Sequence, residues 1–201
     1  LELGGHGPVL VFDDFDPKEA AEICAFTKFR NCGQVCISPS RFYVHEKSYS
    51  TFCERFVEIA KSLKLGDGLD EGVQVGPMAN SRGLKNIENM TDDAISKGAD
   101  LLYGGKAPSG FNKGYFFEPT VLGNVSDDAL VMNEEPFGPI APITSFSDYR
   151  DVITRANSLP FGLAGYVFSN DLSTSTRAYE DLEVGMVGVN EMLLATAEAP
   201  F

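Results

Sequence analysis

At 201 residues, with 43% hydrophobic and 22% charged positions, the chain has the size and composition of one ordinary globular domain, able to bury a core without disulfide or metal support. A formal net charge of −13 with scattered Lys and Arg leaves no basic patch, which excludes nucleic acid and an anionic membrane surface as partners. No run approaches the ~18 apolar residues of a membrane span, and the first residues carry no secretory pattern.

Four cysteines (Cys24, Cys32, Cys36, Cys53) without the density of a secreted scaffold read as reduced thiols, so a cytoplasmic location is expected. The chain begins at Leu1 and is patterned to both ends, which suggests a single domain over residues 1–201 excised from a longer protein.

Short apolar runs alternate with runs of helical period, the signature of βα units. The predicted fold class is therefore α/β, a three-layer, mainly parallel twisted sheet with helices on both faces. Residues 8–12 read as the first strand. Asp16 as N-cap, Pro17 in the first turn and Glu19 at the capping-box position then start a helix ending near Asn31. A strand at 41–45 leads to a helix over 50–64, with Phe52, Phe56, Ile59 and Leu63 on one stripe and Gly66 as a stop. A third helix at 81–97 turns Leu84, Ile87 and Ile95 inward and closes at Gly98 before a strand at 100–103. Strands at 140–146, 164–168 and 186–190 follow, with helices at 149–156 and 173–182.

Three segments place glycine beside a reactive or charged group: Leu1-Glu2-Leu3-Gly4-Gly5, Asn31-Cys32-Gly33-Gln34-Val35-Cys36, and Glu134-Glu135-Pro136-Phe137-Gly138-Pro139. Glycine lets a backbone approach a ligand or turn to positive φ. In order and spacing these segments, with the terminal Ala199-Pro200-Phe201 and the Gly114-Tyr115-Phe116-Phe117-Glu118-Pro119-Thr120 run, resemble the aldehyde dehydrogenase superfamily along the whole chain.

The resemblance implies that Cys36 is the nucleophile, adding as a thiolate to an aldehyde, and that Glu2 is the base that directs water at the resulting thioester. Read alone, Cys36 is a small buried hydrophobe and Glu2 a solvated carboxylate; the motifs reverse both readings. Glu135, Phe137, Leu3 and Gly4 match positions that hold the nicotinamide end of NAD or NADP. No GxGxxG or phosphate loop occurs, so most of a dinucleotide site is expected upstream, with the amide half of an oxyanion hole and an oligomerising tail also absent. The isolated chain is therefore expected to be inactive, and the full-length protein to be a homodimer or homotetramer.

Within the superfamily the Gly185-Met186-Val187-Gly188-Val189-Asn190-Glu191 run and Ala141-Pro142 look most like succinate-semialdehyde dehydrogenases. In those enzymes an arginine six residues before the nucleophile pairs with the substrate carboxylate; Arg30 stands there, and Phe201 matches an aromatic at the tunnel mouth. Two departures are His6 where a lysine is usual and Ala195, beside Thr196, where a serine would also hold the carboxylate. Cys32, four residues before Cys36, is a candidate for a redox bridge with it. The rival readings are a non-catalytic structural or binding role, opposed by the presence of both Cys36 and Glu2, and oxidation of a different, uncharged aldehyde. A zinc site from the cysteines and His45 lacks any C-x2-C pair, so no metal is expected.

Overall fold

The computed structural model describes residues 4–197. Glu2, Leu3 and Phe201, to which roles were assigned above, lie outside them. Seven strands form one sheet in the order β3-β4-β5-β2-β1-β6-β7, where β1 is Gly7–Val11, β2 Pro39–His45, β3 Asp100–Tyr103, β4 Thr120–Gly123, β5 Ile140–Phe146, β6 Ala164–Phe168 and β7 Met186–Val189. Every pairing is parallel except β3 with β4.

The helices are α1 (Pro17–Phe29), α2 (Glu46–Ser62), α3 (Ser81–Ser96), the short α4 (Leu130–Asn133), α5 (Tyr149–Ala156) and α6 (Leu172–Asp181). From β1 the chain moves through α1 to β2 and onward to β5 in one direction across the sheet, then returns through α5 to β6 and α6 to β7 in the other. Right-handed crossovers then put α1 and α2 on one face and α5 and α6 on the opposite face, which makes the three layers. On the first face Phe29, Phe42, Phe52 and Phe56 pack ring against ring; on the second Phe12 meets Phe146 and Tyr149.

Local chemistry explains the boundaries. Asp16 accepts the N–H groups of Lys18 and Glu19 at 2.8 and 3.0 Å, as its position predicts. Helix α2 starts four residues before the sequence-based boundary because His45 caps it, its Nδ1 accepting from the Lys47 N–H. Ile95 is a correction: it is 40% exposed, and Ile87, Met90, Thr91 and Ala94 form the buried stripe of α3 instead. Strand β4 and helix α4 were not foreseen. Among the described residues no helix is long and apolar enough to cross a membrane.

Candidate active site

The segment that carries Cys36 is set by the way α1 ends. After Phe29 the chain enters a 3-10 turn, Arg30–Gly33, in which Asn31 (φ 50°), Cys32 (φ 56°) and Gly33 (φ 71°) are all left-handed. Non-glycine residues rarely adopt that backbone, so surrounding contacts must impose it. Gly33 is where they do: a Cβ there would overlap the Gly138 carbonyl oxygen. The Asn31 side chain donates to the Gln34 carbonyl at 2.9 Å, and the Gln34 side chain accepts the Ala79 N–H at 3.0 Å, pinning the turn to the approach of α3.

Cys36 follows in the loop before β2 and is half-buried. The buried Tyr166 hydroxyl of β6 donates to the carbonyl of Ile37, and the Ser38 N–H closes a turn onto the Val35 carbonyl at 2.9 Å, so both sides of the thiol are held. The Cys36 N–H donates to no acceptor among the described residues, which leaves it free to meet an oxyanion. Across the loop a Cβ at Gly5 would collide with the Cys36 carbonyl. Glycine is therefore required there for this segment to pack on the Cys36 loop.

Glu135 reaches the same place from the loop before β5. Its carboxylate accepts the Gly5 N–H at 3.1 Å, and its second oxygen stands 3.4 Å from where a Cβ on Gly4 would be. Phe137 is 45% exposed, unlike a core ring, and opens with Gln34, Arg82, Lys85 and Asn86 onto a cavity of about 600 Å³. A carboxylate for hydroxyl groups, an exposed ring and two cations fit the nicotinamide and phosphate-bearing part of a dinucleotide. Gly5, Cys36 and Glu135 thus meet at the amino ends of β1, β2 and β5, the edge opposite to the one where open α/β sheets commonly bind ligands.

On the other side of the Cys36 loop a smaller cavity of about 70 Å³ is lined by Thr27, Val35, Ile37, Met192, Ala195 and Arg30, its one charged lining residue. Among the described residues Arg30 has no acidic partner. The structure therefore brings together Cys36, Gly4, Glu135, Phe137 and Arg30.

Cys32 is 2% exposed, and burial pushes its thiol up to about 12 although the Lys28 ammonium opposes the shift. A thiol kept protonated is a slow nucleophile in oxidation chemistry, and all four cysteines are free. Cys24 and Cys53 are buried helical side chains. Among the described residues no group of three His, Cys, Asp or Glu could hold a metal ion.

Sequence reasoning missed Lys28, which is 1% exposed at the end of α1. The signal was present, because Ala21, Cys24, Ala25 and Lys28 fall at the i, i+3, i+4, i+7 spacing of a buried helical stripe. His6 is also buried, with neither ring nitrogen in hydrogen-bond geometry, although the Val131 carbonyl is near enough to favour the charged form. Burial and the Arg41 and Lys28 charges push the imidazole down to about 2 from an ordinary 6.5.

The unfolded chain therefore binds a proton at His6 below pH 6.5 while the folded chain does not, and stability falls as pH falls. Between pH 6.5 and 4.5 this amounts to about 2 kcal/mol, because the unfolded imidazole is only half protonated at the upper end. His6→Leu should flatten that limb, as read from urea midpoints across the range; parallel curves for the two proteins would refute the assignment.

The whole of residues 1–201 matches the model of the aldehyde dehydrogenase family. The chain is 48% identical over 190 residues to succinate-semialdehyde dehydrogenase [NADP(+)] 2 of Schizosaccharomyces pombe, covering 94% of this chain and 38% of that protein. It is 43% identical over 201 residues to glutarate-semialdehyde dehydrogenase of Pseudomonas putida, covering 100% and 41%. The crystal structure of succinate-semialdehyde dehydrogenase from Burkholderia pseudomallei superposes with a TM-score of 0.96 at 42% identity, over 100% of this chain and 41% of that one. The chain thus spans about two fifths of the length of these relatives, and with the family model matched along all of it and the fold shared, it belongs to the aldehyde dehydrogenase family.

Proposed function

We propose that this chain is the catalytic part of an NAD- or NADP-dependent aldehyde dehydrogenase that oxidises an ω-oxo acid, such as succinate semialdehyde, to the dicarboxylate. The observation that carries the reading is the cavity beside the Cys36 loop, whose single charged lining residue is Arg30, without an acidic partner among the described residues. Cys36 lies between the cavity-lining Val35 and Ile37, so the acid tail of an aldehyde held there would run toward that guanidinium, which can meet a carboxylate with two parallel hydrogen bonds.

The Cys36 thiolate adds to the carbonyl carbon, forming a C–S bond and an alkoxide that the Cys36 N–H stabilises. A nicotinamide cofactor supplies the acceptor for the hydride that leaves this carbon, and a thioester on Cys36 remains. Glu2 takes a proton from water as the water attacks the thioester; the C–S bond breaks, releasing the carboxylic acid and the thiolate. Glu135 would hold ribose hydroxyls, and Phe137 and Gly4, with Leu3 by its place in the motif, would serve the nicotinamide end. The reading includes a further cofactor domain in the full-length protein, assembly into a dimer or tetramer, and a cytoplasmic location; light scattering checks the assembly.

Ala195 lines the Arg30 cavity without a hydroxyl to share the carboxylate. Without a hydroxyl at position 195 the acid has one fewer partner beside Arg30, which relaxes discrimination between four- and five-carbon semialdehydes. A hydrogen bond to a charged group contributes about 1.5 to 3 kcal/mol. Arg30→Ala should therefore lower kcat/KM for succinate semialdehyde roughly 10- to 150-fold, leaving butanal unaffected. An equal loss for both aldehydes would remove the carboxylate anchor from the account.

A further inference from the structure

We propose that Lys28 is a positioning residue for Glu135, acting across a water-sized void that both side chains line to hold the carboxylate against Gly5 and so set cofactor affinity. The inference rests on the reading above in one respect, that Glu135 grips the cofactor.

Lys28 is 1% exposed yet makes no hydrogen bond or ion pair among the described residues. Lysine is rarely found at so buried a position, so a lysine on an apolar helical stripe needs a reason to be there. The void beside it supplies one. Its volume is about 10 Å³, and its lining includes Lys28, Glu135, Gly5, Ser38, Ser40 and Pro136. That is close to the space of a single water, and lysine, serine and glutamate in its lining can supply the two to four polar partners a buried water requires.

The electrostatics agree with the geometry. Burial pushes Lys28 down to about 7, while Cys32 and Glu135 support its charged form. Cys32 is held as a thiol, so Glu135 is the remaining counter-charge. Its other fixed contact is the Gly5 N–H at 3.1 Å. Lys28 on one side and Gly5 on the other thus define one carboxylate orientation.

The test uses the full-length enzyme and equilibrium binding of NAD and NADP, followed by protein fluorescence. Lys28→Met, close in volume and apolar, should weaken cofactor binding about tenfold, the effect of one water-bridged contact to a charged group. KM for the aldehyde at saturating cofactor should stay the same. Lys28→Arg, which keeps the charge, should recover most of the affinity. In a double-mutant cycle, Lys28→Met added to Glu135→Gln should cost almost nothing further, because the contact is already lost. Unchanged affinity in Lys28→Met, or a full additional loss on top of Glu135→Gln, would overturn the proposal. Wild-type enzyme that binds cofactor but oxidises no aldehyde would sink the proposed function alone, while the binding cycle still decides Lys28.

Discussion

Replacing Cys36 with alanine in the full-length enzyme is expected to abolish aldehyde oxidation, with kcat falling by a factor on the order of 10⁴ or more. No other thiol can stand in. Cys24 and Cys53 are buried in helices, and Cys32 is buried with its thiol pushed up to about 12, so none offers a thiolate to substrate. Folding should be unaffected, because Cys36 is only half-buried and lies in a loop whose anchors are other groups, the Tyr166 hydroxyl on the Ile37 carbonyl and the Gln34 side chain on Ala79. Cofactor binding, which the Glu135 and Phe137 side should provide, should also survive. Activity within tenfold of wild type in Cys36→Ala would contradict the assignment of the nucleophile.

Glu2→Gln should separate the two halves of the reaction. Glutamine cannot take the proton from water, so hydrolysis of the thioester should slow by about 10² to 10⁴ while its formation proceeds. Stopped-flow absorbance at the reduced nicotinamide band should then show a burst near one equivalent per active site, followed by a slow steady rate. A loss of the burst itself would move Glu2 from the hydrolytic step to an earlier one. Gly5, three positions after Glu2, packs on the Cys36 carbonyl, so Gly5→Ala should disturb the same step through the loop without removing the base.

Much of the architecture was legible in the sequence, because buried parallel strands and amphipathic helices leave strong periodic signals. Strand β4 escaped because Thr120–Gly123 directly follows a proline, which demotes a short apolar run as a strand candidate. Ile95 misled for a geometric reason: eight residues after Ile87, it lies about 80° round the helix and out of the stripe. The left-handed turn at Asn31 and Cys32 was not readable locally, since it is forced by the close approach of Gly33 to the Gly138 carbonyl, more than a hundred residues later.

The site was legible only in part. Cys36 and Glu135 are 99 positions apart, and no local pattern joins them. They meet because β2 and β5 are neighbours in the sheet and each residue sits in the loop entering its strand. Strand order therefore has to be known first, and the family resemblance stood in for it. Lys28 went unread for the opposite reason: its periodicity was visible, but a lysine on a buried stripe conflicts with the usual preference of that residue for solvent. The void shared with Glu135 resolves the conflict.

The central claim, that Cys36 carries the acyl group, is tested most directly by mass mapping of an acid-quenched Glu2→Gln enzyme after one turnover with succinate semialdehyde and cofactor. The account predicts a succinyl adduct on the peptide containing Cys36 and none on those containing Cys24 or Cys53. An adduct on a different residue, or a full burst of reduced cofactor with no adduct on the protein, would contradict it.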